Sequence, residues 1–168
     1  MWIDDVSEAI QLIEALSSEE VEAIEAEITH LPDRESAAIE AMRIVQEKRG
    51  WISDESLAGI ARLLGMSVEA LDSIATFYNL IFRRPVGRHV IMLCDSVSCF
   101  VMGCDKVRIA LCDQLGVSMG ETTPDGRFTV LPIVCLGACD RAPVMTIDEE
   151  LITNLSSDTL PETLNRFD

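Results

Sequence analysis

The chain contains two short cysteine-bearing stretches, CDSVSC at residues 94–99 and CLGAC at residues 135–139. The first pair of cysteines encloses four residues and the second encloses three. Each pair follows an apolar run, at 89–93 and 130–134, with the length and composition of a buried strand. We therefore expect each pair on a loop at the C-terminal end of a strand. Two such loops facing each other would bring four thiolates together around metal.

The spacing of the cysteines separates several metal and thiol chemistries. A thioredoxin-type redox centre needs C-x-x-C, which the sequence lacks. Zinc knuckles usually use the same short spacing, so the wider pairs disfavour zinc without excluding it. A [2Fe–2S] cluster has two irons that each take two thiolates, and wider loops suit its larger span. The spacing therefore favours a two-iron cluster.

Two other iron–sulfur patterns fail on this sequence. A Rieske centre needs paired histidine ligands, but His30 and His89 are the only histidines and do not lie in paired positions. The plant-type spacing C-x4-C-x2-C fails after its first pair because residue 102 is Met. What remains is one iron for each pair, or one cluster that straddles both pairs. The candidate ligands are Cys94, Cys99, Cys135 and Cys139.

Two more cysteines and two glycines lie close to these pairs in the sequence. Cys104 and Cys112 fall on a predicted helix, where a free cysteine commonly packs as a small apolar side chain. We expect neither to be a ligand, although Cys104 is placed to replace Cys99 in part if that ligand is lost. Gly103 and Gly137 allow close backbone approach, and we expect their amide N–H groups near the sulfurs.

The composition narrows the class of partner. The 168 residues are 48% apolar and carry a formal net charge of −16. Nucleic acids and anionic membrane surfaces both need Lys and Arg on the protein, so neither is an expected partner. The N-terminal residues show no secretory signal, and the longest apolar run, 130–139, is too short to span a bilayer. We expect a cytoplasmic protein, in which reduced cysteines suggest metal binding or catalysis.

The first half of the chain has a helical pattern. Ser17 with Glu20 predicts a capping box that opens a helix over 19–29, and the glutamates of that helix are expected to form a solvated face. Ser53 and Ser67 are predicted to cap two later helices. Apolar residues between these caps recur at i, i+3, i+4 and i+7, beginning with Ala38, Ala41, Met42 and Val45. Phe77, Tyr78 and Phe82 are expected to pack in a core or between domains, or else to face a partner.

A change of composition at 83–88, with Pro, Gly and three Arg, marks the expected domain boundary. Beyond it we predict a strand at 88–94, a helix at 102–115, a hairpin of strands at 127–134 and 143–148, and a helix at 160–167. That order is typical of a thioredoxin-like α/β sandwich. The predicted class is α+β, with a helical bundle for docking at 1–84 and a thioredoxin-like domain at 85–168.

At this point the motifs resemble a known family. The sequence Cys94-x4-Cys99, followed by CLGAC at 135–139 and Ala142-Pro143, resembles the small 2Fe-2S subunit of NADH dehydrogenases, a thioredoxin-like 2Fe-2S ferredoxin family. The resemblance extends to the helical half through GWIS at 50–53, ATFY at 75–78 and GRHVI at 87–91. It covers roughly residues 18–168.

The resemblance implies one [2Fe–2S] cluster held by Cys94, Cys99, Cys135 and Cys139. It also implies a place on the cytoplasmic side of the inner membrane, without direct membrane contact, among the peripheral-arm subunits of respiratory complex I. There the family exchanges electrons with the flavin of a neighbouring subunit that binds FMN and NADH. The chain has no G-x-G-x-x-G motif, so FMN and NADH belong to that neighbour, and no complete active site is expected here.

Several alternative functions stay open from the sequence. The same type of subunit recurs in NAD-reducing hydrogenases and NAD-linked formate dehydrogenases, which the cluster motif does not separate from complex I. A zinc-bound structural interaction module is an alternative from a different class, because zinc also accepts four cysteines. A thiol–disulfide protein is disfavoured by the absence of C-x-x-C.

Overall fold

The computed structural model describes residues 15–167, which form two compact units, one ending at Pro85 and the other beginning at Val86. The first unit is helical and the second is built on a four-stranded sheet, so the predicted α+β class is confirmed. Within this described range no helix is both long and apolar enough to cross a membrane.

From residue 15 onward, the helical unit contains four α-helices joined by short turns. Serine side chains begin three of them, because Ser17, Ser53 and Ser67 each accept a hydrogen bond from the backbone N–H three residues further on. Gly50 and Gly65 end two of them at φ of 81° and 74°, where a residue with a Cβ is strained. The predicted caps are therefore confirmed. The helices are α1 (Ser18–Ile28), α2 (Ala38–Arg49), α3 (Asp54–Leu64) and α4 (Val68–Phe77), with a 3-10 turn at Glu35–Ala37 before α2.

The core of the helical unit follows the predicted apolar spacing. The α2 stripe is fully buried, with Ala38 the most exposed of its four members at 4%. The aromatic residues at the end of α4 behave differently, since Phe77 is 77% exposed and Tyr78 is 43% exposed. The prediction of core packing is therefore wrong for these two rings. They contact each other edge to face, with ring centroids 5.2 Å apart.

Glu20 is the exception to the expected solvated face of α1, because it is 2% exposed. Arg49, from the end of α2, donates to both of its carboxylate oxygens at 2.8 and 2.6 Å. The Ser17 backbone N–H donates a third hydrogen bond at 2.6 Å. The prediction failed because the partner cation lies on another helix, 29 residues away in the sequence, where the local pattern of α1 gives no sign of it.

The second unit is a mixed sheet with the strand order β2-β1-β3-β4. Its strands β1 and β2 run parallel, which requires a crossover, and two helices supply it. The chain then returns through β3 and β4, which pair antiparallel. The elements are β1 (His89–Cys94), α5 (Val97–Val101), α6 (Cys104–Leu115), β2 (Phe128–Ile133), β3 (Met145–Ile147), β4 (Glu150–Ile152) and α7 (Leu160–Leu164).

Two details of the predicted order are wrong. The hairpin is formed by β3 and β4, not by β2 and β3, because β1 lies between β2 and β3 in the sheet. The prediction missed β4, which has only three residues and follows a tight turn in which Asp148 has a φ of 54°. The helix predicted from residue 102 begins at Cys104, because Gly103 has a φ of 93° and separates it from the short α5.

Gly87, two residues before β1, has no room for a side chain. A Cβ on Gly87 would lie 2.9 Å from the backbone oxygen of Arg127 and 2.9 Å from the backbone carbon of Phe128. The Gly87 N–H also donates to the Thr129 hydroxyl at 2.6 Å, so the two strands approach closely here. This contact helps to hold β1 and β2 in register.

We expect Gly87→Ala to destabilise the sheet unit, because the clash is with backbone atoms that cannot rotate away. The expected loss is about 1–3 kcal/mol of unfolding free energy, measured by denaturant unfolding. Ser157→Ala, at an exposed loop position, is the control and should leave the unfolding midpoint nearly unchanged. A Gly87→Ala protein as stable as the control would contradict the close approach.

We expect Glu20→Ala to cost about 1.5–3 kcal/mol of unfolding free energy, because it removes hydrogen bonds to charged groups and leaves Arg49 without its carboxylate. Glu22→Ala, at an exposed position on the same helix, is the matched control and should cost about 0.5 kcal/mol or less. Denaturant unfolding at pH 7 measures both, and equal losses would contradict the special role of Glu20.

The pH dependence provides a second readout for this pair. Burial acts to raise the pKa of Glu20, but the Arg49 guanidinium and the Ser17 groups outweigh it, so the pKa is lowered. The stabilisation is therefore present above the ordinary glutamate pKa and is lost as the pH falls through the lowered value. The stability difference between wild type and Glu20→Ala should shrink on acidification from about pH 5 to pH 3.

Candidate metal centre

Parallel pairing of β1 and β2 brings the two cysteine stretches to the same edge of the sheet. Cys94, the last residue of β1, lies opposite Ile133, the last residue of β2. The Asp95 N–H continues the ladder beyond the strand by donating to the Ile133 carbonyl at 3.1 Å. The chain therefore leaves both strands side by side, and the cysteines of both stretches follow directly.

The first pair is buried. Cys94 and Cys99 are each 1% exposed, and α5, which carries Cys99, buries only this residue. The prediction of a loop is therefore wrong in detail, because Cys94 ends a strand and Cys99 lies on a short helix. Burial, followed by a hydrogen bond with Cys94, raises the pKa of Cys99 to about 11, against a hydrogen bond from the Val144 backbone N–H.

The second pair is exposed and follows β2, with Cys135 on a loop, as predicted, and Cys139 at the start of a 3-10 turn at Cys139–Arg141. The sulfurs of Cys135 and Cys139 are 3.3 Å apart, and the Gly137 N–H donates to the Cys135 sulfur at 3.4 Å. This amide is the main reason that the pKa of Cys135 is lowered. The hydrogen bond with Cys135 raises the pKa of Cys139. Of the two thiols, Cys135 therefore loses its proton more readily than Cys139.

The expectation for the two glycines is half right. Gly137, at a φ of 79°, places its N–H on the Cys135 sulfur as predicted. The Gly103 N–H instead donates to the Phe100 carbonyl at 3.0 Å, where it closes the turn after α5. The amide that serves the buried pair comes from Val144, which no sequence pattern singled out.

One side chain links the two stretches directly. The Ser98 hydroxyl forms a hydrogen bond with Cys139 that acts to lower the pKa of that thiol. Ser98 directly precedes Cys99, so one turn of chain supplies both a thiol and a hydrogen bond to the opposite pair. Reasoning from the sequence missed Ser98. Its position inside the CDSVSC stretch was the available signal.

Around these thiols lies a small apolar cluster, distinct from the core of the sheet unit. Its buried members are Cys94, Cys99, Cys104, Ala138, Ala142 and Val144. It contains residues from both cysteine stretches, so the two loops pack against each other. Among residues 15–167, no three His, Cys, Asp or Glu side chains form a ready-made site for a metal ion. The thiols are arranged instead as two pairs, and a two-iron cluster takes two thiolates on each iron, so this donor set fits such a cluster.

The two additional cysteines have different environments. Cys104, at the start of α6, is 5% exposed within this cluster, and burial together with the charges of Asp105 and Cys94 raises its pKa. Cys112, further along α6, is half-buried and borders a surface groove together with Arg108 and Met119. Cys104 is therefore a neighbour of the four candidate ligands, whereas Cys112 is not part of their cluster.

The chain is similar in sequence to known proteins along nearly its whole length. The chain is 48% identical over 152 residues to the E subunit of the NADH-quinone oxidoreductase of Escherichia coli K12, and the match covers 90% of this chain and 92% of that protein. The protein of the same name from Pseudomonas aeruginosa is 43% identical over an equal share of both chains.

Fold comparison and the family model agree with these relatives. A crystal structure of an NAD+-reducing [NiFe]-hydrogenase shares the fold with a TM-score of 0.66 at 21% identity, over 78% of this chain and 22% of that chain. The family model described as thioredoxin-like [2Fe-2S] ferredoxin matches residues 24–168. The chain therefore belongs to the thioredoxin-like [2Fe–2S] ferredoxin family, and its cofactor is one [2Fe–2S] cluster.

Proposed function

We propose that this chain is the small electron-transfer subunit of an NADH-quinone oxidoreductase. Cys94 and Cys99 hold one iron of its [2Fe–2S] cluster, and Cys135 and Cys139 hold the other. The observation that carries this assignment is the arrangement of the thiols as two internally hydrogen-bonded pairs at one edge of the sheet. When bound, the cluster accepts and releases single electrons, and the chain supplies its position and its electrostatic surroundings.

Among residues 15–167, three hydrogen-bond donors act on the candidate ligands. The Gly137 amide donates to Cys135, the Val144 amide to Cys99, and the Ser98 hydroxyl to Cys139. Donors of this kind stabilise negative charge on the sulfurs and so favour the reduced form of a cluster. Because they reach both pairs, they act on the charge of both irons.

The partner that we propose is the neighbouring subunit of the complex, which binds FMN and NADH and exchanges electrons with this cluster. The similarity to the Escherichia coli relative along 90% of the chain supports this. Residues 85–168 carry the cluster, and the helical bundle at 1–84 serves docking. The exposed rings of Phe77 and Tyr78 support a docking role for that bundle. The complex would place the chain peripherally, on the cytoplasmic side of the inner membrane.

The purified full chain should contain about two irons and give a rhombic electron paramagnetic resonance signal only after dithionite reduction, because an oxidised [2Fe–2S] cluster has no net spin and one electron creates it. Metal analysis of the same sample measures iron and zinc together. A protein with one zinc, no iron and no signal would contradict the proposal and make the chain a zinc-bound interaction module.

Single replacement of a ligand tests the assignment of the pairs. Cys135→Ser and Cys139→Ser should each lose most of the iron, or change the visible spectrum, because serine oxygen is a poor substitute for thiolate. Cys112→Ser is the matched control and should retain the wild-type iron content and spectrum, because Cys112 lies outside the apolar cluster that contains Cys94 and Cys99.

The buried pair needs an additional variant. Cys104 packs in the same apolar cluster as Cys94 and Cys99 and is placed to replace either in part. We expect Cys99→Ser to keep some cluster and the double variant Cys99→Ser/Cys104→Ser to lose it. Full iron retention in the double variant would show that Cys99 is not a ligand.

A further inference from the structure

We propose that an apolar surface beside the exposed cysteine pair is the docking surface for the electron-exchange partner, and that the partner presents an apolar patch bordered by Lys and Arg side chains. This inference rests on the proposed function and assigns the surface through which the electron passes. We name the surface the apolar collar. Its members are Val97, Phe100, Val101, Met102 and Val134, which are 72%, 60%, 75%, 61% and 69% exposed.

The collar lies on the two segments that hold the candidate ligands. Four members belong to α5 or directly follow it, on the segment that carries Cys99. The fifth, Val134, directly precedes Cys135. The two segments lie side by side, because the Ser98 hydroxyl hydrogen-bonds to Cys139 and the Asp95 N–H donates to the Ile133 carbonyl. The collar therefore lies on both segments that carry the candidate ligands.

Folding of this unit does not explain the apolar character of the collar. Only Cys99 is buried on α5. The exposed positions of that helix could therefore be polar without any loss of core packing. Clustered apolar side chains on a soluble surface usually mark a contact with another molecule, whereas single ones are ordinary. Five exposed apolar side chains on the two segments that carry the candidate ligands form such a cluster.

The net charge of the chain indicates which kind of protein binds the collar. Residues 86–168 contain twelve Asp and Glu against six Lys and Arg, and the whole chain carries a net charge of −16. Asp95 and Asp140, both exposed, lie next to the two collar segments in the sequence. A second copy of the chain would bring the same acidic surface and be repelled, whereas a protein with a basic border is attracted. The occupant is therefore a different protein of complementary charge.

The difference in exposure between the two pairs of thiols agrees with a partner that binds at the collar. Cys94 and Cys99 are buried, whereas Cys135 and Cys139 are exposed on the segment that also carries Val134. A partner seated on the collar would cover the exposed pair and exclude water from it. A cluster held in part by Cys135 and Cys139 would exchange single electrons with the partner's redox group on this exposed side, with no bond made or broken.

The test measures binding of the cluster-loaded full chain to the separately purified FMN- and NADH-binding subunit of the same complex, by sedimentation velocity at low and high salt. The variants are Phe100→Ser, Val101→Ser and Met102→Ser. The matched control is Ile109→Ser, a 54% exposed apolar residue on α6 that is outside the collar. We expect about a tenfold or greater loss of affinity for at least one collar variant. The control should stay within about twofold of wild type, and added salt should weaken wild-type binding.

Two results would overturn the inference. One is unchanged affinity in all three collar variants. The other is a chain that dimerises through the collar, so that the substitutions abolish the dimer and leave partner binding intact. Iron content and the reduced-state resonance signal of each protein keep the two proposals apart. Wild type without a [2Fe–2S] signal contradicts the proposed function, whereas normal signals with unchanged affinities contradict only the docking surface.

Discussion

The parallel pairing of β1 with β2 is the constraint on which the rest of the site depends. It aligns Cys94 with Ile133, so the chain leaves both strands at the same edge and in the same direction. An antiparallel pair would send the two cysteine stretches to opposite ends of the sheet. Because Gly87 lets β1 approach β2 closely at the other end of the pair, a residue far from the cysteines helps to set their alignment.

The same edge gives the two cysteine pairs unlike surroundings. The chain after β1 folds into α5 and turns Cys99 inward, whereas the loop after β2 remains at the surface with Cys135 and Cys139. Each pair receives a backbone N–H, from Val144 or from Gly137, and the Ser98 hydroxyl connects one stretch to the other. A cluster bound there would have one enclosed side and one side open to a partner, which is the asymmetry that an electron carrier needs.

Local patterns predicted the elements better than their arrangement. The predicted serine caps and the predicted α2 stripe were correct, because capping and amphipathic spacing depend on residues three or four apart. The hairpin was wrong because strand order depends on which strands meet in the sheet. The prediction that Glu20 lies on a solvated face was wrong for a similar reason. Its partner Arg49 belongs to another helix, and no local rule identifies that partner.

The spacing of the cysteines identified the candidate ligands and favoured one chemistry for the site. Four cysteines in two wide pairs, each after an apolar run, favour a two-iron cluster because each iron takes two thiolates. Three properties became apparent from the tertiary contacts: which pair is buried, that Cys104 belongs to the apolar cluster around the candidate ligands while Cys112 does not, and that Ser98 and Val144 donate to the sulfurs. These properties depend on contacts between segments far apart in the chain, and residue spacing carries no information about such contacts.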